Sequence, residues 1–459
     1  MLRSLIKISI CLVLAGALPR AHAFSLLGEL DDWQTTELGF GFNELGGSKD
    51  IGEEFRLNTP VLTYGFDSTF LDYFGAAGVK AIDQAFAIMN KLPRVSKMSP
   101  DLSEFLLQDA QIPNETARTL NLFDLKSYTL GILLEHMGLA GEEHVYDLQK
   151  RVPFPGTCQF DYQVIIRNFD PITYDYTPYV NGALYTYSIV DDCPVRSVAF
   201  AVETLVDPTD IGFNAVASFR GGLRYGGYYI GITRDDAGGL RYIYRKNNYN
   251  NERLSPGAFP QSFYGPFQPV DFFQGTNNLG SNNVASLRPG IEKVRFKKTR
   301  FNSVLGTTFK PFVQSYQLTV VTNFDFESRP TVVKQNVRRL VSRPDILLTA
   351  GNLNSAPSAI SVTPSRANRI FSYTTNGLPG FGFVSSVGPG TINPELTLTF
   401  HKASPQFYNT TPFFLDEATA IAVDFLRWGS FDGSTNDPIV YPQSVSLRDL
   451  ENQVLRGQF

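Results

Sequence analysis

Asp124-Leu125-Lys126-Ser127-Tyr128-Thr129-Leu130-Gly131-Ile132-Leu133-Leu134-Glu135-His136-Met137-Gly138-Leu139 reads as one complete helix with its own stop. Asp124 can cap the first turn. Leu125, Tyr128, Thr129, Ile132, Leu133 and His136 line one face. Gly138 supplies the left-handed stop, with Leu139 placed for the apolar contact that follows it. Upstream, Val79, Ile82, Phe86 and Met89 recur at helical spacing until Pro93 ends the run. Downstream of Arg151 the period changes. Residues 158–167 and 182–190 are rich in Tyr, Val and Ile and flank a turn-rich stretch with Pro171, Pro178 and Asn181-Gly182. They predict a long hairpin or a pair of neighbouring strands. A short helix is expected over 234–244, with Asp235 and Asp236 near its positive end. Helices followed by strands place the chain in the α+β class.

Farther out, residues 24–60 are mixed and Gly-rich. Residues 246–286 hold no period and are rich in Asn, Gly, Pro and Phe. Beyond residue 291, strands are expected at 316–322, 331–341, 359–362 and 395–401. Leu396, Leu398 and Phe400 there alternate with Thr397, Thr399 and His401. Residues 326–330 suit a turn, and 414–425 a helix or a buried strand. The resulting division is a signal peptide at 1–23, an α+β part at 24–250, an Asn/Gly-rich linker or loop at 251–289, and a β-sandwich-like domain at 290–459.

Export follows from the N-terminus. Arg3 and Lys7 precede an apolar stretch over 8–18, and Ala21-His22-Ala23 offers small residues for cleavage before Phe24. So short a stretch does not span a bilayer core, and no later segment is long and apolar enough to do so. Loss of Arg3, Lys7 and Arg20 moves the net charge from −4 to −7. Cys158 and Cys193 then remain, and an oxidising compartment favours a disulfide between them.

Composition excludes several classes. With 18% charged residues and a small net charge the chain is apolar enough to fold, and 40 basic against 44 acidic residues disfavour a nucleic-acid binder. H-E-x-x-H and G-x-S-x-G motifs, phosphate-binding loops, Rossmann fingerprints and internal repeats of 20–50 residues do not occur. The chain has only 4 His. His136 and His144, with a carboxylate, are the candidate zinc ligands. A helix C-terminus for His136 and the surface for His144 need less explanation. Asp432, Ser434, Asn436 and Asp437 offer oxygens to calcium, although Gly433 is misplaced for an EF-hand and an ordinary turn suffices. The run Lys293, Arg295, Lys297, Lys298, Arg300 suits a solvated edge strand or, as its rival, a polyanion-binding strand. Asn114-Glu115-Thr116 and Asn409-Thr410-Thr411 fit glycosylation sequons.

Two resemblances add to these readings. Tyr64-Gly65-Phe66-Asp67 with Phe70-Leu71-Asp72-Tyr73-Phe74 resembles the opening of a matrixin-type (metzincin) metallopeptidase domain, and residues 233–244 resemble its closing helix. Taking Gly138 as that family's motif glycine puts its three zinc-binding His positions on Gly131, Glu135 and Gly141. The catalytic Glu position falls on Ile132. The resemblance, over 60–247, thus implies a matrixin-like frame without the zinc motif. The whole chain also resembles a group of large secreted bacterial proteins of no assigned function, through Asn168-Phe169-Asp170-Pro171-Ile172-Thr173 and Trp428-Gly429-Ser430-Phe431-Asp432-Gly433. This implies an extracytoplasmic place and no particular activity.

Three functions fit. The first is an exported, non-catalytic protein with a surface-structural or binding role, facing a cell-surface or extracellular polymer. The second is a divergent metzincin-like zinc hydrolase using His136 and His144. The third is carbohydrate binding, with exposed Tyr and Trp428 of the C-terminal part stacking on the apolar faces of sugars.

Overall fold

The structure is a computed structural model. It describes residues 23–29, 33–34, 45–57, 59–107, 110–141, 145–191, 193, 199–209, 216–218, 223–254, 286–325, 327, 329–351, 360–364, 370–374, 396–401, 427–442 and 446–456. The expected leader, His144, Asn409 and the 414–425 segment lie outside these residues. In chain order the elements that matter here begin with β1 (Ser25–Glu29), β2 (Leu45–Lys49), β3 (Val61–Phe66), α1 (Ser68–Lys91), α2 (Glu115–Thr119), β4 (Leu122–Asp124), α3 (Leu125–His136) and β5 (Leu139–Ala140). They continue with β6 (Tyr146–Pro153), β7 (Phe160–Ile166), β8 (Ala183–Asp191), β9 (Ala199–Leu205), α4 (Arg234–Tyr244) and β10 (Arg295–Lys298). The last are β11 (Phe312–Phe324), β12 (Pro330–Val341), β13 (Ile346–Gly351), β14 (Ile360–Pro364), β15 (Leu396–His401) and β16 (Arg427–Ser430).

Helices and strands together bear out a mixed α+β class. A five-stranded sheet in the order β10-β3-β13-β15-β14 holds the core. Four strands run parallel, and only the edge strand β14 is antiparallel to its neighbour. Ile346, Leu348, Leu396, Leu398 and Phe400 are buried, as the alternation in β15 predicts. Helix α1 packs against this sheet through Phe70, Phe74, Ile82 and Phe86, with Phe86 stacked on Tyr64 at 3.7 Å.

The sheet takes β3 from one side of the expected 251–289 linker and β10, β13, β14 and β15 from the other. A separate C-terminal β-sandwich does not describe that distribution. Parallel neighbours require long connections, and this chain makes one of them by passing through the whole of α1 to α4 before returning. Strand β4 repeats the pattern by lying parallel to β16. Residues Asn250–Leu254, expected in the linker, form a strand between Ser286–Arg288 and Ile370–Thr374.

Helix α3 fulfils its predicted cap and stop. Asp124 accepts from the Ser127 N–H at 3.0 Å, and Gly138 has φ +107°. However, all twelve residues of α3 are buried, not one face only. A helix closed in on every side belongs to the core. Helix α4 starts with a reciprocal cap between Thr233 and Asp236.

Residues 158–167 and 182–190 fall in two hairpins rather than one. β6 pairs with β7, and β8 pairs with β9. Each strand found its partner in the segment beyond the stretch read from sequence.

Candidate binding surface

The Cys158–Cys193 disulfide, with Cα atoms 5.9 Å apart, joins the turn of the β6–β7 hairpin to the end of β8. The expected staple is therefore present, linking two hairpins. The layer between them is polar and cross-braced. Arg151 of β6 donates from Nε and Nη2 to the two carboxylate oxygens of Asp191, both at 2.7 Å. Tyr162 of β7 donates to the same carboxylate at 2.7 Å. The Arg151 hydrogen bonds hold the Asp191 carboxyl down to about 2, below the usual carboxylate range. The Arg151 guanidinium also covers the Phe160 ring at 3.5 Å. Nearer the body of the protein, the Tyr146 ring lies 4.7 Å from that of Tyr187, and the Tyr146 N–H donates to Glu203 at 3.1 Å.

These contacts commit the odd-numbered residues of β8 and β9 to the inner layer. Successive side chains alternate, so the even-numbered residues form the outer face. The register sets Thr186 opposite Thr204, and Ser188 opposite Val202. With Val190 these residues are all exposed and uncharged. Val190 is 51% and Val202 41% exposed. Val152 and Phe154 on the first hairpin are also exposed. The result is an exposed, uncharged face of Thr, Ser and Val on a braced support.

The pair is anchored to the body. Arg167 forms an ion pair with Asp50 at 2.6 Å. Phe24 and Phe169 exchange backbone hydrogen bonds at 3.0 and 2.9 Å. Asp170 turns the next residues by accepting from the Ile172 and Thr173 N–H groups. Arg241 of α4 grips the Pro171 carbonyl at 2.6 Å.

The other sequence candidates separate. His136 is buried at the end of α3, where its Nδ1 donates to the Ile132 carbonyl at 2.7 Å. Gly131 and Glu135, two of the positions that the matrixin resemblance equates with zinc ligands, are buried in the same helix. Among the described residues no group of three His, Cys, Asp or Glu converges as a metal site. The loop weighed for calcium docks on Asn114, which donates to the carbonyls of Gly433 and Asn436 while its side-chain oxygen caps α2 at the Ala117 N–H. Being fully buried in this role, Asn114 offers no accessible sequon.

Trp428 does not serve the third reading as its stacking platform. It is 0% exposed, held edge-on between Phe400 at 5.5 Å and Tyr128 at 5.1 Å. A buried indole presents no face to a sugar; its size made it look like a ligand platform when it is a core filler.

Sequence reasoning missed a buried polar lock. Arg56 donates to the carbonyls of Ile243, Asn248 and Arg288, closing the C-terminus of α4. Glu54, whose carboxyl is pushed up by burial against the opposing Asn248 hydrogen bond, accepts from Asn248 at 2.7 Å. These residues lie in a Gly-rich segment without period, and no sequence signal marks them.

Among the described residues no helix is long and apolar enough to cross a bilayer. No family model matches the chain, and no curated protein or solved structure shows significant similarity to it.

Proposed function

We propose that the protein is an exported, non-catalytic protein with a surface-structural or binding role, acting through the outer face of β8 and β9. The observation that carries this reading is the uncharged Thr186, Ser188, Val190, Val202, Thr204 face on a disulfide-linked, ion-paired support. Solvated strand faces usually carry charge that discourages association. Here the charges, Arg151, Asp191 and Glu203, point inward, and the outward positions are left fit for contact. The burial of α3 supports the non-catalytic part, because it encloses His136 in the core.

The test uses the mature protein and isolated envelope or extracellular polymer. Co-sedimentation is expected, with loss of at least about tenfold in affinity for Val202→Lys combined with Thr186→Lys, a scale set by burying like charges at a contact. Equal binding by the variant would remove this face from the proposal. Stoichiometric zinc in the purified protein, lost in His136→Ala, would overturn the non-catalytic reading.

A further inference from the structure

The turn between Phe301–Asn302 and Thr307–Thr308 is built differently from an ordinary surface turn. Its apex is Val304-Leu305, and these side chains are 94% and 71% exposed. Turn apices normally carry Gly, Asn, Asp or Ser. The apex is also preformed. The Asn302 side-chain oxygen accepts from the Val304 and Leu305 N–H groups at 3.0 and 3.2 Å, and the Gly306 N–H donates to the Asn302 carbonyl at 2.9 Å. Ser303 accepts from the Ser68 N–H at 2.7 Å and so fixes the turn against the start of α1.

More apolar surface lies beside it. The Phe309 N–H donates to the Arg300 carbonyl, and the Thr308 N–H to that of Ser342, so the turn leads directly into the root of the β11–β12 ribbon. Phe309 is 63% exposed, as are Leu340 at 66% and its cross-strand partner Val313 at 52%. Single exposed apolar residues are ordinary; five at one turn and the strands it joins are not.

The sequence leading into and out of the turn is basic. Lys297, Lys298, Arg300 and Lys310 occur between residues 297 and 324, and no Asp or Glu does, whereas Lys293 donates to the Asn90 and Leu92 carbonyls at the other end of α1. Strand β10, which carries Arg295, Lys297 and Lys298 and is followed by Arg300, is an edge strand among the described residues, and all four side chains are exposed. Lys298 is engaged by Asp83 at 2.7 Å, and the Lys297 ammonium lies over the Phe312 ring at 4.4 Å. Asp67, which caps α1, is a further carboxylate near the turn. The remaining cations outnumber these acids.

We propose that the Val304-Leu305 turn, with Phe309 and the ribbon root, is a docking tip for an anionic lipid surface. An apolar tip alone or a basic collar alone binds bilayers only weakly, whereas the two together give stable peripheral attachment. The rigid Asn302 turn means that little conformational freedom is lost on docking.

The experiment is co-sedimentation of the mature protein with vesicles of phosphatidylcholine alone and of phosphatidylcholine mixed equally with phosphatidylglycerol. Binding is expected to the anionic vesicles only, and to weaken as salt rises. Val304→Ser with Leu305→Ser, and separately Lys297→Glu with Arg300→Glu, are each expected to weaken it roughly tenfold or more. Both pairs are at exposed positions, and an unchanged melting curve shows that they fold. Failure of the wild type to bind, binding indifferent to lipid charge, or serine variants that bind as well as wild type would overturn the proposal. So would a wild type that ignores vesicles but whose tip captures a protein.

Discussion

Arg151 and Asp191 meet as a two-pronged ion pair across two different hairpins, 40 residues apart in sequence and two residues from Cys193. Asp191 receives Tyr162 and the Cys193 N–H as well. Its carboxyl is held at about 2, mainly by Arg151, against an ordinary value of 3.8. A depressed folded value contributes stability above the unfolded value, and that contribution disappears as pH falls through the folded one. The brace between the hairpins should therefore weaken between about pH 4 and pH 2. Protease resistance of residues 146–205 in wild type should approach that of Asp191→Asn across this window. A constant difference between the two proteins down to pH 2 would contradict the pairing.

The disulfide should matter more than any one of these hydrogen bonds. It closes a separation of 35 residues. On the chain-entropy account such a loop is worth roughly 4 kcal/mol. Cys158→Ser with Cys193→Ser should open the two hairpins to hydrogen exchange while the β3–β13–β15 core stays protected. Equal loss of protection everywhere would mean that the hairpins and the core unfold as one unit.

The helices were legible because their signals are local. Asp124 and Gly138 act within a few residues and the structure uses them as the sequence predicts, and Asp236, expected near the positive end of α4, caps it with Thr233. Strand positions were legible too, as the alternation in β15 shows. Partner choice was not. β3 pairs with β10 and β13, more than 200 residues away, and nothing in the local pattern of Val61–Phe66 names those partners. The same gap explains the candidate sites. Trp428 became a buried residue because β16 lies beside β4, a long-range pairing. The apolar face of β8 and β9 became visible only when register showed which residues turn outward.

Gly138 and Gly306 make a controlled comparison. Both have positive φ, +107° and +65°. A Cβ on Gly138 would lie 2.4 Å from the Phe55 carbonyl oxygen, whereas one on Gly306 would meet nothing within 4 Å. Gly306→Ala should cost about 1 kcal/mol, the left-handed penalty alone. Gly138→Ala adds a clash with backbone at the end of the buried α3 and should exceed roughly 3 kcal/mol. Denaturant titration of both variants measures the difference; similar losses would mean that α3 can shift to relieve the contact.

Trp428→Ala should be among the most damaging substitutions. Its ring touches partners from α3 and β15, so it holds distant parts of the chain together. Emptying a fully buried aromatic site costs roughly 3–5 kcal/mol. Trp428→Phe should recover a large part, because the edge-on contacts to Tyr128 and Phe400 need an aromatic ring rather than the indole nitrogen. Equal loss in both variants, measured by thermal unfolding, would place the importance in a hydrogen bond instead of packing.

Asp236 gives the opposite pH dependence to Asp191. It is buried at the start of α4 and accepts from the Thr233 N–H at 2.8 Å, the Thr233 hydroxyl at 2.7 Å, the Val216 N–H at 3.0 Å and the Ala217 N–H at 2.9 Å. Burial nevertheless outweighs these donors and pushes its carboxyl up to about 6 from 3.8. A raised folded value means that the folded state holds the proton more tightly than the unfolded chain between those two pH values. Stability from this group is thus full below about pH 4 and is lost as pH rises towards 6. The span corresponds to roughly 3 kcal/mol. Asp236→Asn removes the titration while keeping one acceptor oxygen. Denaturant unfolding at pH 4, 5, 6 and 7 should show the wild type losing stability relative to this variant up to pH 6 and running parallel to it above. A wild type that instead gains on the variant over that range would show that the four donors, not burial, control the carboxylate.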